Sequence, residues 1–327
     1  MTETILPAAP APTRAGAFVQ PRHLLGLEGM PRETLADLLE SAQQYRDQLD
    51  LGGIRSLELE GVTVCNAFFE NSTRTRVSFE LAARRLGATC VTFSATDSST
   101  AKGETLLDTL KVIESMRVDL IVIRHAASGT PAYLARNLEA GVINAGDGQH
   151  EHPTQGLLDL LTLRQAWRGE FAGKRVALVG DIAHSRVARS AIHGLVTLGA
   201  SVVLAGPPTL IPRGSERIGA SVAPTVEDAM RDADAVMALR LQQERMGQGL
   251  LASMAEYART WAINARRARL MRPDAIVMHP GPMNRGIEIA PDVADGERSV
   301  ILAQVTNGVA VRCAVLRRCA RALKETA

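Results

Sequence analysis

From Pro31 onward apolar residues recur at helical spacing, with Leu35, Leu38, Leu39, Ala42 and Tyr45 on one face. After that helix, short β-rich runs alternate with helical stretches. The pattern predicts strands at 62–69, 88–93, 118–124 and 141–145, with helices near 74–86, 104–116 and 130–139 between them. The leucine-dense segment 154–167 reads as a long helix that ends at a hinge over Trp167–Gly173. A second alternating set follows, with strands at 175–179, 201–205, 235–239 and 275–278. The last helix, about 307–324, shows an apolar stripe of Val315, Leu316, Cys319 and Leu323. Alternation of this kind predicts an α/β fold of two domains, each a mostly parallel β-sheet flanked by helices.

Size agrees with this: 327 residues at 46% hydrophobic content suffice for two cores. Charge narrows the partner. A net charge of +2 with only 3% aromatics offers little for stacking nucleic-acid bases and suits a small anionic substrate better. Cys65, Cys90, Cys313 and Cys319 show no CxxC pairing, and Cys65 and Cys90 fall in predicted buried strands, so the chain reads as reducing and cytoplasmic. Residues 1–20 are rich in Ala, Pro and Thr. Their prolines interrupt every apolar run, so they read as a flexible tail rather than a secretory core or a membrane span.

Polar and charged residues cluster just after the predicted strands, at the edge where open parallel sheets bind ligands. The first cluster lies in FFENSTRTRVSFE, 68–80, where strand becomes helix and Gly87 later supplies a stop. Ser72, Thr73, Arg74 and Thr75 therefore sit at a helix N-terminus, where free N–H groups and the helix dipole favour an anion and Arg74 or Arg76 adds forked hydrogen bonds. Taken alone, the segment fits an ordinary Ser/Thr helix cap as well. Further clusters are Arg124 with His125, GDGQHEHPTQG at 146–156, and HPGPMNRG at 279–286.

His150 and His152 form an H-x-H pair, but Cys and further well-spaced His ligands are missing, which disfavours a metal. A neutral His152 imidazole donating to a substrate oxygen is the functional alternative to a helix-capping segment before Pro153. Gly180–Arg186 begins like a dinucleotide-binding turn without the G-x-G-x-x-G, and no Walker A sequence occurs. Arg186 and Arg240 follow strands of the second domain. Each alone reads as surface; facing one cleft, they suit a dicarboxylate. Lys102, in the Ser- and Thr-rich loop 94–105, is either a surface residue or part of an anion-reaching lid.

With these residues assembled, the chain resembles the catalytic chains of the aspartate carbamoyltransferase family, in the aspartate/ornithine carbamoyltransferase superfamily, from about residue 21 onward. The matches STRTRVSFE and HPTQGLLDL stand in order and with family-like spacing. The resemblance implies transfer of a carbamoyl group from carbamoyl phosphate to L-aspartate, early in pyrimidine synthesis, without a cofactor. It implies a carbamoyl-phosphate domain at 21–168, an aspartate domain at 169–305 and a helix at 306–327 returning to the first. By motif, Ser72, Thr73, Arg74 and Thr75 would hold the phosphate, and Arg124, His152 and Gln155 would address the carbamoyl group. Gly281 and Pro282 would supply backbone contacts. Lys102, Arg186, Arg240 and Gln242 would engage aspartate, with Ser98 and Lys102 also reaching carbamoyl phosphate. Catalysis would fall to Arg74, Thr75, Arg124 and His152.

The family further implies a homotrimer in which the loop bearing Ser98 and Lys102 enters the neighbouring subunit's site. Association with regulatory or dihydroorotase-like chains stays open. HPGPMNRG differs from the HPLP-type sequence also found in the family. Two alternatives compete. Ornithine carbamoyltransferase shares the STRTR-type site but carries HCLP and takes a cationic acceptor, which Arg186 and Arg240 would not suit. A non-catalytic anion-binding assembly subunit would not need Arg74, Lys102, Arg124 and His152 together.

Overall fold

The computed structural model describes residues 21–94, 104–242, 249–251 and 253–326. The first half runs α1 (Arg32–Asp50), β1 (Thr63–Phe68), α2 (Thr73–Arg85), β2 (Thr89–Ser94), α3 (Leu106–Ser115), β3 (Leu120–His125), α4 (Thr130–Ala135), β4 (Gly141–Asp147) and α5 (Pro153–Ala166). The second runs β5 (Arg175–Gly180), α6 (Arg186–Leu198), β6 (Ser201–Ala205), β7 (Ala220–Val222), α7 (Val226–Met230), β8 (Ala235–Leu239), α8 (Met254–Trp261), α9 (Ala265–Ala268), β9 (Ile276–Met278), α10 (Pro291–Ala294) and α11 (Ile301–Thr326).

The strands form two all-parallel sheets, ordered β2-β1-β3-β4 and β7-β6-β5-β8-β9. In the first, Val64 pairs with Cys90 on one side and Leu120 on the other. Central strands buried on both faces need continuous apolar runs, and β3 and β5 supply them as Leu120–Ile123 and Val176–Val179. Apolar residues of α3 and α4 cover one face of the first sheet. The opposite face shares one core with α1, α5, α11 and the α6 side of the second sheet. Helices α7 and α9 close the second sheet's other face.

Helix α5 is apolar almost all round, from Leu157 to Leu163, because α11, α6 and β4 enclose it. Truncating Leu161 there to alanine would cost about 2–5 kcal/mol through lost burial and an unfilled cavity. Helix α11 packs on α1, α2 and α5, so the end of the chain returns to the first half as expected. Gly87, at φ +82, ends α2 as anticipated; its N–H bonds the Arg84 carbonyl while that of Ala88 reaches Ala83.

Departures from the sequence reading have local causes. The helix expected over 130–139 ends at Ala135, where the Asn137 amide caps the Tyr133 carbonyl. Helix α11 starts at Ile301 rather than near 307. Its first turn exposes Leu302 and Val305, so no core-facing stripe marks it in the sequence. Cys65 is buried, whereas Cys90, on edge strand β2, is only half-buried. The short β7, α8, α9 and α10 lack enough residues to establish a period. No helix among the described residues is long and apolar enough to cross a membrane. The predicted tail, 1–20, lies outside the described residues.

Candidate active site

Each sheet reverses its strand order once, between β1 and β3 in the first and between β5 and β8 in the second. Such switch points leave a crevice at the strand C-termini because the following helices go to opposite faces. Both crevices open on one cleft of about 720 Å³. Residues after β1 and at the end of β3 reach it from one side; those after β5, β8 and β9 reach it from the other.

Ser72 stands in extended conformation before α2, but its hydroxyl caps none of the helix amides. It donates to Thr75 Oγ1 at 3.0 Å instead. The first turn contains no acidic residue and lines the cleft, leaving an N-terminus disposed to take an anion. The capping alternative is thus not what the hydroxyl does. Arg74 projects from the same turn toward the loop after β9: a Cβ added at Gly281 would lie 3.4 Å from its Nη1. Burial, and after it the like charge of Arg240, pull the Arg74 guanidinium below its usual pKa.

Arg74, Arg124, Arg186, Arg240, Arg285 and Arg312 line the cleft, and Glu70 is the single lining carboxylate among the described residues. Glu70 accepts from Arg124 Nη2 at 2.7 Å and from both terminal nitrogens of Arg186, one of them at 3.0 Å. Arg124 also donates to the Ala145 carbonyl at 3.1 Å. Gly146, at φ +118, lies against both guanidinium groups; a Cβ there would come within 3.0 Å of Arg124 Nη1 and of Arg186 Cζ. Arg186 is 4% exposed although it opens α6, so it is not the solvated arginine its position alone suggests.

His152 precedes α5, with Pro153 in the first helical turn, and is buried. Its backbone N–H donates to Ser190 Oγ at 2.9 Å, and that hydroxyl donates to the buried Glu151 carboxylate at 2.7 Å. Gln155 lines the cleft one turn further on. The loop Gly281-Pro282 follows β9, with the Gly281 N–H donating to His279 Nδ1 at 2.8 Å. This leaves His279 Nε2 to carry the proton toward Glu288, 3.2 Å away. Gln242 lines the cleft beside Arg240, its N–H 3.4 Å from Asp181 Oδ2.

The structure therefore brings Ser72, Thr73, Arg74, Thr75, Arg124, His152, Gln155, Arg186, Arg240, Gln242, Gly281 and Pro282 to one cleft. Ser98 and Lys102 lie outside the described residues. His150 turns to Asp147 Oδ2, 3.2 Å away, so H-x-H does not converge on one point. A different group gathers as Glu28, Glu151 and His193, but both Glu151 oxygens already accept hydrogen bonds, from the Leu27 and Glu28 amides and from Ser190. Sequence reasoning missed Glu70, Gln304 and Arg312 as cleft residues. Glu70 could have been found as the acid beside STRTR; Gln304 stands in the unmarked first turn of α11, and Arg312, within the predicted helix, carries no local sign that it faces a cleft.

Comparisons with known proteins point to one family. Residues 22–165 match the family model for the aspartate/ornithine carbamoyltransferase carbamoyl-P binding domain, and residues 172–319 match that for the Asp/Orn binding domain. The chain is 53% identical over 296 residues to an aspartate carbamoyltransferase catalytic subunit from Syntrophotalea carbinolica, covering 90% of this chain and 94% of that one. A catalytic subunit of the same name from Myxococcus xanthus is 54% identical, with 91% and 99% covered. Among solved structures, Trypanosoma cruzi aspartate transcarbamoylase in complex with carbamoyl phosphate and aspartate superposes with a TM-score of 0.81 at 31% identity, covering 90% of this chain and 95% of that one. An ornithine carbamoyltransferase from Thermus thermophilus superposes equally, at 0.81, with 27% identity and 92% and 99% coverage. The backbone is thus common to both acceptor specificities, while the closer sequence likeness is to the aspartate enzymes.

Proposed function

The chain belongs to the aspartate/ornithine carbamoyltransferase family, and we propose that its cleft transfers the carbamoyl group of carbamoyl phosphate to the α-amine of L-aspartate. The products are N-carbamoyl-L-aspartate and phosphate, in de novo pyrimidine biosynthesis. The observation that carries the reading is the cleft's charge: among the described residues, five arginines besides the Asp295-paired Arg285 and an uncapped helix N-terminus line it with one carboxylate, Glu70. Such a site suits a phosphate together with a dicarboxylate, and a cationic acceptor such as ornithine would meet net repulsion.

Carbamoyl phosphate is an activated acyl donor, so alignment and charge stabilisation suffice for its transfer. Ser72, Thr73, Thr75 and the α2 amides hold the phosphate, with Arg74 neutralising it as it leaves. The neutral amine attacks the carbonyl carbon, and charge develops on the carbonyl oxygen; Thr75, Arg124 and His152 are the donors directed there. Arg240 and Gln242 take the aspartate carboxylates. Arg186 does so by sharing or exchanging Glu70, its present partner. The amine's proton passes to the departing phosphate. Gly281 and Pro282 contribute backbone polar groups beside Arg74.

Residues 21–168 act as the carbamoyl-phosphate domain and 169–305 as the aspartate domain, with 306–327 returning to the first. The working form is a homotrimer in the cytoplasm. Supporting a subunit contact, Val77 and Leu81 on α2 and Val91 on edge strand β2 are apolar and exposed. The segment bearing Ser98 and Lys102 follows this edge strand in the sequence, and we assign it to the neighbour's site. Cys65, Cys313 and Cys319, buried as free thiols, fit a reducing compartment. Aspartate-dependent release of phosphate from carbamoyl phosphate by the purified chain tests the reading; release that ignores aspartate would sink it.

A further inference from the structure

A buried polar chain beside the cleft links α5 to α11. Asp159, one turn after Gln155 on α5, is 1% exposed. Its Oδ1 accepts from Gln155 Nε2 at 3.0 Å and from Gln304 Nε2 at 2.7 Å. The Gln304 Oε1 in turn accepts the His279 backbone N–H at 3.0 Å, at the head of the loop that carries Gly281. Burial pushes the Asp159 carboxyl up to about 7, against the opposing pull of Gln304, Gln155 and the Arg312 guanidinium.

A glutamine amide has two ends of opposite character, and its neighbours decide which end faces a ligand. An ionised carboxylate only accepts, so the Gln155 NH2 must be the end turned to Asp159. Protonation does not reverse this. Oδ1 already receives two N–H donors, so the proton would sit on Oδ2, which is buried without a hydrogen-bond partner among the described residues. In either state Oδ1 accepts, and the Gln155 carbonyl oxygen is the end left for the cleft.

We infer that Asp159 is a positioning residue: it holds the Gln155 amide with its oxygen toward the acyl group and so selects an acyl phosphate that carries an N–H donor. This rests on the carbamoyl-transfer reading. Its chemical content is discrimination between carbamoyl phosphate and acetyl phosphate, in which a methyl group replaces the NH2. Acetyl transfer needs no other partner. The acetyl carbon bonds to the aspartate nitrogen as its bond to the phosphate oxygen breaks, and the amine proton leaves with phosphate.

The test compares kcat/KM for carbamoyl phosphate with that for acetyl phosphate, using the full chain at saturating L-aspartate. Asp159→Leu keeps the branching at Cγ in a somewhat larger side chain and removes the acceptor. The ratio should fall about tenfold, mostly through carbamoyl phosphate, because sites built around a substrate N–H lose selectivity when the matching acceptor is released. Asp159→Asn can keep an oxygen at the Oδ1 position and should hold the ratio within about threefold. Gln155→Met should itself lower the ratio, and adding Asp159→Leu to it should lower it no further, since the two act as one unit. Should Asp159→Leu not fold, Asp159→Ser carries the same expectation, its hydroxyl being too short to hold Gln155. An unchanged ratio in the acceptor-less variant, or equal losses for both donors, overturns the inference while leaving carbamoyl transfer standing. A wild-type chain that forms no carbamoyl-aspartate overturns both.

Discussion

Glu70, in the loop after β1, accepts hydrogen bonds from both terminal nitrogens of Arg186, the first residue of α6. A carboxylate from the first sheet's edge thus fixes the guanidinium that opens the second sheet's main helix, and Arg124 shares the same oxygen. Charge-assisted bonds of this kind, partly shielded from water, are among the stronger polar contacts a protein makes. Replacing Glu70 with Gln removes the charge and half the acceptor capacity. Steady-state kinetics should show kcat/KM for aspartate lowered on the order of tenfold, and the melting temperature should fall because the buried Arg186 loses its counter-charge. Unaltered aspartate kinetics would mean that the contact does not serve the site.

Arg74→Ala removes the cation that faces the leaving phosphate from the first turn of α2. Its side chain belongs to the cleft rather than the core, so the circular dichroism spectrum should stay native while kcat falls about a hundredfold to a thousandfold. Near-normal turnover in the folded variant would withdraw Arg74 from the mechanism.

Gly146→Ala asks for a Cβ at φ +118 and 3.0 Å from two guanidinium groups. Backbone strain and the displaced arginines should together cost about 1–3 kcal/mol in urea unfolding, with a loss of activity. An alanine variant of unchanged stability would show that the loop has more room than its geometry indicates.

A pH dependence follows from Asp147 and His150. Burial pulls Asp147 upward, but hydrogen bonds from His150, the Gly129 N–H and Asn144 outweigh it, and its pKa lies below the usual carboxylate value. The bond to Asp147 raises His150 against the opposing effect of burial. A raised histidine stabilises fully below its unfolded pKa, about 6.5, and the contribution fades as pH rises through the folded value. A lowered aspartate stabilises above its unfolded pKa, about 3.9, and its contribution fades as pH falls through the folded value. Both are complete between those limits. Denaturant unfolding across pH should show His150→Gln losing stability relative to wild type inside that window and converging with it at alkaline pH. A difference that grows with alkalinity would contradict the pairing.

If the loop with Lys102 serves a neighbouring subunit, then chains carrying Lys102→Ala and chains carrying Arg74→Ala, each inactive alone, should regain activity when dissociated and reassembled together. No recovery in verified mixed assemblies would confine each site to one chain.

Much of this was legible in the sequence because parallel strands buried on both faces announce themselves as apolar runs. The strands at Leu120–Ile123 and Val176–Val179 are such cases. Motif order located Ser72 to Thr75 and His152. What could not be read was pairing across distance. Glu70 looks like any acid until Arg124, at the end of β3, and Arg186, at the start of α6, converge on it. Asp159 sits inside a leucine-rich helix, where its contacts with Gln155 and with Gln304, far along the chain, mark it as polar machinery. The first turn of α11 buries Ile301 and Gln304 but leaves Leu302 and Val305 exposed, so it carries no core-facing apolar periodicity.

The most direct test offers the purified chain carbamoyl phosphate with equal amounts of L-aspartate and L-ornithine and identifies the ureido product by mass spectrometry. The arginine-lined cleft should yield N-carbamoyl-L-aspartate alone. Citrulline as the product would contradict the roles given to Arg186 and Arg240 and, with them, the central claim.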